Sequence, residues 1–119
     1  MPRPILDSMN KHTNRVREHC LAKPGAVEEE PWGHPVFKVG GRIFVGMGEA
    51  AISVKSTPDR QSVLIHDPAI SVAKYSGRFG WVSIELADDT VHMAFSLIDD
   101  SYDAVFAGLP RKARDKIAQ

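Results

Sequence analysis

The twelve residues Val36-Phe37-Lys38-Val39-Gly40-Gly41-Arg42-Ile43-Phe44-Val45-Gly46-Met47 decide the fold. β-Branched and aromatic side chains alternate with polar or small ones on both sides of a Gly-Gly pair, which is the pattern of two strands of period two. Two consecutive glycines supply the positive φ angles of a tight hairpin turn. The stretch therefore predicts strands over 36–39 and 42–47, joined at Gly40-Gly41.

Moving outward, Ala51-Ile52-Ser53-Val54 continues the alternation and predicts a third strand over 51–56, after a turn at Gly46, Gly48, Glu49 and Ala50. Pro58 suits the first turn of a helix, so 59–66 reads as a short helix burying Val63 and Leu64, or Ile65, before Asp67-Pro68 ends it. Residues 70–75 read as a short edge strand, and 81–86 as a strand reached through Gly77 and Gly80, which makes five strands. Asp88, Asp89 and Thr90 offer caps for a helix to about Leu97. Ile98, Tyr102, Val105, Phe106 and Leu109 form the apolar stripe of the next, closed by Pro110. Before the hairpin, Leu6, Met9, Thr13, Val16 and Cys20 recur at steps of three and four and predict an amphipathic helix over 4–22, stopped by Lys23-Pro24-Gly25. Its outer face carries Lys11, Arg15, Arg17 and Lys23. Glu28-Glu29-Glu30 reads as a solvated connection closed by Pro31, Gly33 and Pro35. The basic tail of Arg111, Lys112, Arg114 and Lys116 either frays or extends as a polar helix. The expectation is one α+β domain over 1–119, of order α-β(3)-α-β(2)-α, with an antiparallel sheet and its helices packed on one face.

At 119 residues, 43% hydrophobic and 25% charged, the chain has the composition of a globular domain with one core. Lys and Arg number 15 against 15 Asp and Glu, so no global positive field draws it onto nucleic acid, and any such contact must be local. The single cysteine, Cys20, rules out an intramolecular disulfide and, lying on the first helix's apolar stripe, reads as a core thiol. With no signal-like start, a reducing cytoplasm is expected. No apolar run approaches the roughly 18 residues of a membrane span, so no membrane partner is expected.

The chemical motifs are thin. Gly46-Met47-Gly48-Glu49-Ala50-Ala51 has the shape G-x-G-x-x-A, but a dinucleotide site needs a helix after the glycines, and Ile52-Ser53-Val54-Lys55 alternates as a strand. Among His12, His19, His34, His66 and His92 no pair stands at i, i+4, and they read as surface residues rather than zinc ligands. Asp99, Asp100 and Asp103 read as a solvated helical face. No nucleophile elbow or triad is recognisable. Neither catalysis, a metal nor a cofactor is expected.

Strand parity is more informative. Ile43, Val45, Ile52, Val54, Val82, Ile84 and Leu86 form an aliphatic set that should meet the helices. The opposite set holds Lys38, Arg42, Phe44, Ser53, Lys55, Trp81, Ser83 and Glu85. Cations among aromatic rings on an open sheet are how many proteins hold single-stranded nucleic acid, so Lys38, Arg42, Phe44, Lys55 and Trp81 are the candidate DNA-binding residues. The other use of such a face is to be covered by the last helix or by a partner subunit, the lysine stems lying over the rings.

Pro31-Trp32-Gly33, the run from Val36 to Arg42, Ser53-Val54-Lys55, Gly80-Trp81-Val82-Ser83-Ile84, Asp100-Ser101-Tyr102 and Leu109-Pro110-Arg111-Lys112 follow one another in an order and spacing that resembles the MmcQ/YjbR family of small bacterial proteins. The resemblance covers nearly the whole chain. It implies the α-β(3)-α-β(2)-α fold, similar to type III secretion chaperones and described as frataxin-like, and it carries DNA binding as a suggested activity. His34 and the stretch Ala87-Asp88-Asp89 depart from the pattern. Two further expectations stand beside DNA: a chaperone-like module that holds a protein partner or dimerises, and a small-molecule binder with its pocket near Trp32, His34 and Trp81.

Overall fold

Gly40 and Gly41 take φ angles of 57° and 80°, and the expected hairpin closes on them. A computed structural model describes the backbone from Pro4 to Gln119 and the side chains from Lys11 onward; Leu6 and Met9 of the first apolar stripe lie outside the described side chains. In chain order the elements are α1 (Pro4–Leu21), β1 (Val27–Glu29), β2 (Val36–Val39), β3 (Arg42–Met47), β4 (Ala51–Val54), α2 (Pro58–Leu64), β5 (Ile70–Val72), β6 (Val82–Glu85), α3 (Val91–Ala107) and α4 (Arg111–Ala118). The strands form one antiparallel sheet of order β1-β2-β3-β4-β6-β5. The fold class is α+β as the sequence indicates, with two elements more than the expected order: β1 and α4.

β1 falls where the glutamate run reads as a loop. Val27, Glu28 and Glu29 pair with Lys38, Phe37 and Val36, and their charges are met by neighbours: Arg17 reaches Glu28 at 2.9 Å and Lys38 reaches Glu29 at 2.9 Å. Pairing with the backbone of β2 outweighs the low strand propensity of glutamate, which is a weak preference at a sheet edge. The two helices expected after residue 88 are one. Val91, Ala94, Leu97, Ile98, Ser101, Tyr102 and Val105 make a single buried stripe along α3, and no glycine or proline interrupts it.

α1 and α3 cover one face of the sheet. Val16 and Cys20 of α1 and Ala94, Leu97, Ile98, Tyr102 and Val105 of α3 join Phe37, Val39, Val45, Ile52, Val54, Val82 and Ile84 in one core. Removing such side chains from water is the main stabilising term, at about 1.5 to 3 kcal/mol for each large one. His12 belongs to this layer. It is 3% exposed, one helical turn before Val16, with its Nε2 3.0 Å from Asp88, so it is not the surface histidine that its polarity suggests. α2 starts on Thr57, whose hydroxyl accepts a hydrogen bond from the Arg60 amide at 3.2 Å. Of the three residues expected to pack beneath it, Leu64 touches the core, while Val63 and Ile65 are exposed. Among the described residues no helix is long and apolar enough to cross a membrane.

Candidate functional site

The five residues singled out by parity do not form one surface. In β2 and β3, Phe37 pairs with Val45 and Lys38 with Ile43, which leaves Phe44 without a partner. This β-bulge shifts the alternation by one residue. Phe44 and Val45 are both fully buried on the helix side, and Ile43, half-buried beside Lys38, takes the opposite face. Phe44 is thus a core residue and Ile43 an outer one, the reverse of their expected positions.

The other four separate as well. Lys38 stays on the outer face, but its ammonium is bound to Glu29. Arg42, Lys55 and Trp81 meet at the end of the sheet, around a cleft of about 160 Å³ whose walls include Ala104 and Val105 of α3 and Gly108 just after it. There the Arg42 guanidinium donates to the carbonyl of Gly108 at 2.9 Å, so it serves as a cap for the end of α3. Lys55 is exposed, and its amide donates to the Ser101 hydroxyl, which in turn donates to the carbonyl of Phe44 at 2.6 Å. Trp81 is half-buried.

The larger concavity lies elsewhere. A groove of about 680 Å³, within the ordinary range of ligand sites, runs over the outer sheet residues Gly46, Ser53 and Ser83 and round the sheet's end to α1. Its floor follows from register. Gly46 pairs with Ser53, Ser53 with Ser83, and Ser83 with Ser71, so one row across four strands carries no side chain larger than a hydroxymethyl. Gly46 keeps that row open, because a Cβ there would stand 2.8 Å from the Ser53 hydroxyl and push it aside. The walls are His34, in the loop before β2, and Lys74 and Tyr75, in the segment after β5; Thr13 and Arg17 of α1 and Glu49 of the β3–β4 turn close the end. Tyr75 stands out from it, 85% exposed with the Lys74 ammonium 5.7 Å from its ring, and Trp32, outside the lining, is 67% exposed with its ring centroid 6.1 Å from that of His34.

Two of the three aspartates on the helical face, Asp99 and Asp100, are engaged in ion pairs. Asp99 accepts from His19 at 2.7 Å and from Lys23 at 2.6 Å, and Asp100 pairs with Arg60 at 3.2 Å. Partial burial opposes ionisation of Asp99, yet the hydrogen bonds from Lys23 and His19 prevail and hold its carboxyl below the usual range. No three His, Cys, Asp or Glu side chains gather as a ligand set among the described residues. Parity reasoning included Ser53 and Ser83 in the outer set but had no reason to favour them over larger neighbours. Tyr75 stands at the end of the edge strand expected over 70–75, which parity does not sort, and in the structure that strand stops at Val72 and leaves Tyr75 in the segment beyond it.

No curated protein matches the sequence. The family model described as YjbR matches residues 21–104, a span running from the end of α1 through most of α3 and containing all six strands. The whole groove floor lies inside the matched span, whereas Thr13 and Arg17 precede it. A match over more than two thirds of the chain, on a sheet of this topology, places the protein in the YjbR family.

Proposed function

We propose that the protein is a non-catalytic binding protein that holds single-stranded DNA across the outer face of its sheet, with the groove between His34 and Tyr75 as the seat. The observation that carries this reading is the groove's own exposed ring, Tyr75, opposite His34, whose ring is 6.1 Å from that of the exposed Trp32 just outside the lining. Large aromatic surface left in water is unfavourable unless a ligand covers it, and bases stack on such rings irrespective of sequence. Lys74, beside Tyr75, and Arg78, with its guanidinium 4.8 Å from the Phe79 ring, supply cations next to aromatic faces. Lys38 and Arg17 contribute little, since Glu29 and Glu28 already neutralise them. The site is accordingly one of stacking more than of charge.

Fluorescence anisotropy with a labelled 15-nucleotide strand tests this. With two or three phosphates neutralised at roughly 0.7 per contact, the log-log salt slope should be about −1.5 to −2. Single strands should bind better than duplex, whose bases are not free to stack. Trp32→Ala and Tyr75→Ala should each weaken binding at least fivefold, at about 1 to 3 kcal/mol per stacked base. Lys38→Ala should leave it unchanged. Absence of binding at 20 mM salt, or loss of binding through Lys38 with none through Tyr75, would overturn the reading.

A further inference from the structure

The chemistry of the groove is layered. Its strand residues Gly46, Ala51, Ser53 and Ser83 are all uncharged, while Arg17, Glu49 and Lys74 stand at the margins. The hydroxyls of Ser53 and Ser83 are half-buried and hydrogen-bond to no other described residue, although each offers one donor and two acceptor lone pairs. On adjacent strands in direct register, their Cβ atoms lie about 4.5 to 5.5 Å apart. A neutral floor with paired hydrogen-bonding groups, walled by the His34 and Tyr75 rings, fits a flat uncharged heterocycle with several edge donors and acceptors. Lys74, at the margin away from Glu49 and from the Arg17–Glu28 pair, fits a phosphate leaving that ring. We infer that this floor is a nucleobase seat, in which the Ser53 and Ser83 hydroxyls bond the edge of a base and Gly46 keeps the space above Ser53 open. The inference rests on the groove being the ligand site, and it names what the groove recognises: a base, carried either by a single strand or by a free nucleotide.

Three probes separate the outcomes at 20 mM salt: an ordinary 15-nucleotide strand, an abasic strand of the same length and charge, and each of the four nucleoside monophosphates. The abasic strand should bind the native protein at least tenfold more weakly than the ordinary one. The double variant Ser53→Ala/Ser83→Ala should lose about fivefold or more for the ordinary strand and nothing for the abasic strand, as expected for two hydrogen bonds worth about 0.5 to 1.5 kcal/mol each. Because those hydroxyls bond to no other described residue, the variant should melt with the native protein. Gly46→Ala should give the same loss by displacing the Ser53 hydroxyl, and the serine variant decides the matter if Gly46→Ala folds poorly. Equal affinity for abasic and ordinary strands would overturn the base seat while leaving single-strand binding in place. Binding of nucleotides without strands would retain the seat and overturn the strand. Binding of none would overturn both.

Discussion

The ring of Tyr102 meets the ring of Phe44 edge-on, with centroids 5.3 Å apart and planes at 87°, across the junction between α3 and the bulged strand β3. This arrangement places the negative face of one ring against the positive edge of the other, worth about 0.5 to 1.5 kcal/mol beyond the area buried. It also fixes the bulge, because Ser101, one residue earlier on α3, donates to the carbonyl of Phe44. Phe44→Ala should therefore lower stability by about 3 to 5 kcal/mol, read as a shift in urea midpoint at unchanged slope. A loss under 1 kcal/mol would mean that Phe44 is a surface residue after all.

Gly80 adopts φ 98°, and a Cβ there would lie 2.6 Å from the carbonyl carbon of Thr57 and 2.8 Å from the nitrogen of Pro58. The obstruction is backbone at the start of α2, which a small rotation of a side chain cannot relieve. Gly41, at φ 80°, has nothing within 4 Å of the same position. Gly41→Ala should cost about 1 to 2 kcal/mol from the left-handed conformation alone. Gly80→Ala should cost at least twice that, so thermal melts of the two variants should differ by at least about 4 °C.

Asp99 titrates below its ordinary value, so around pH 4 the unfolded chain binds more protons than the native protein. The stability it contributes is present above the ordinary carboxyl value of about 3.9 and is lost as pH falls through the lower native value. Asp99→Asn should flatten the acid limb of the stability curve below about pH 4. At neutral pH it should cost no more than about 1 kcal/mol, since the pair with Lys23 and His19 is half-exposed. Urea titrations from pH 2.5 to 7 check both parts.

Burial pushes the Cys20 thiol from its ordinary 9.0 up to about 12, Lys23 offsetting only part of the effect. At pH 8 its thiolate population is roughly a thousandfold below that of an unfolded cysteine, and disulfide reagents should modify it correspondingly slowly until urea unfolds the chain. The shift also has a thermodynamic face. The native thiol keeps its proton where the unfolded one loses it, so stability should decline as pH rises above about 9, and Cys20→Ala should remove the part that sets in before about pH 10, above which the Tyr102 hydroxyl, also pushed up by burial, adds its own loss.

What the sequence disclosed and what it hid divide along physical lines. The Gly40-Gly41 hairpin, β4, β6 and the helix-facing set of Ile52, Val54, Val82 and Ile84 were legible because burial on one face writes period two directly into composition. β1 was not, since an edge strand needs only backbone pairing and the glutamates at 28 and 29 resemble a loop. The bulge at Phe44 was hidden for a different reason: one added residue leaves local composition unchanged but exchanges the faces of Ile43 and Phe44, and with them the candidate site. His12 was misplaced because its Asp88 partner is 76 residues away in the chain. The groove is a property of cross-strand register between Gly46, Ser53 and Ser83, and no single strand carries it.

The glutamates of β1 bear on how copies of this molecule behave toward one another. β2 is apolar apart from Lys38, and three of its four residues are buried; ending the sheet there would present an adhesive ribbon with open amides and carbonyls. β1 occupies that ribbon with only three residues, and Glu28, Glu29 and the adjoining Glu30 make the new border unwelcoming to a second strand. A chain with zero net charge has no long-range repulsion to keep molecules apart in concentrated solution. Colloidal solubility at that border falls to a short hem whose length is too small to template an intermolecular sheet, and whose Glu28 and Glu29 carboxylates are already held by Arg17 and Lys38 rather than free to recruit a second strand.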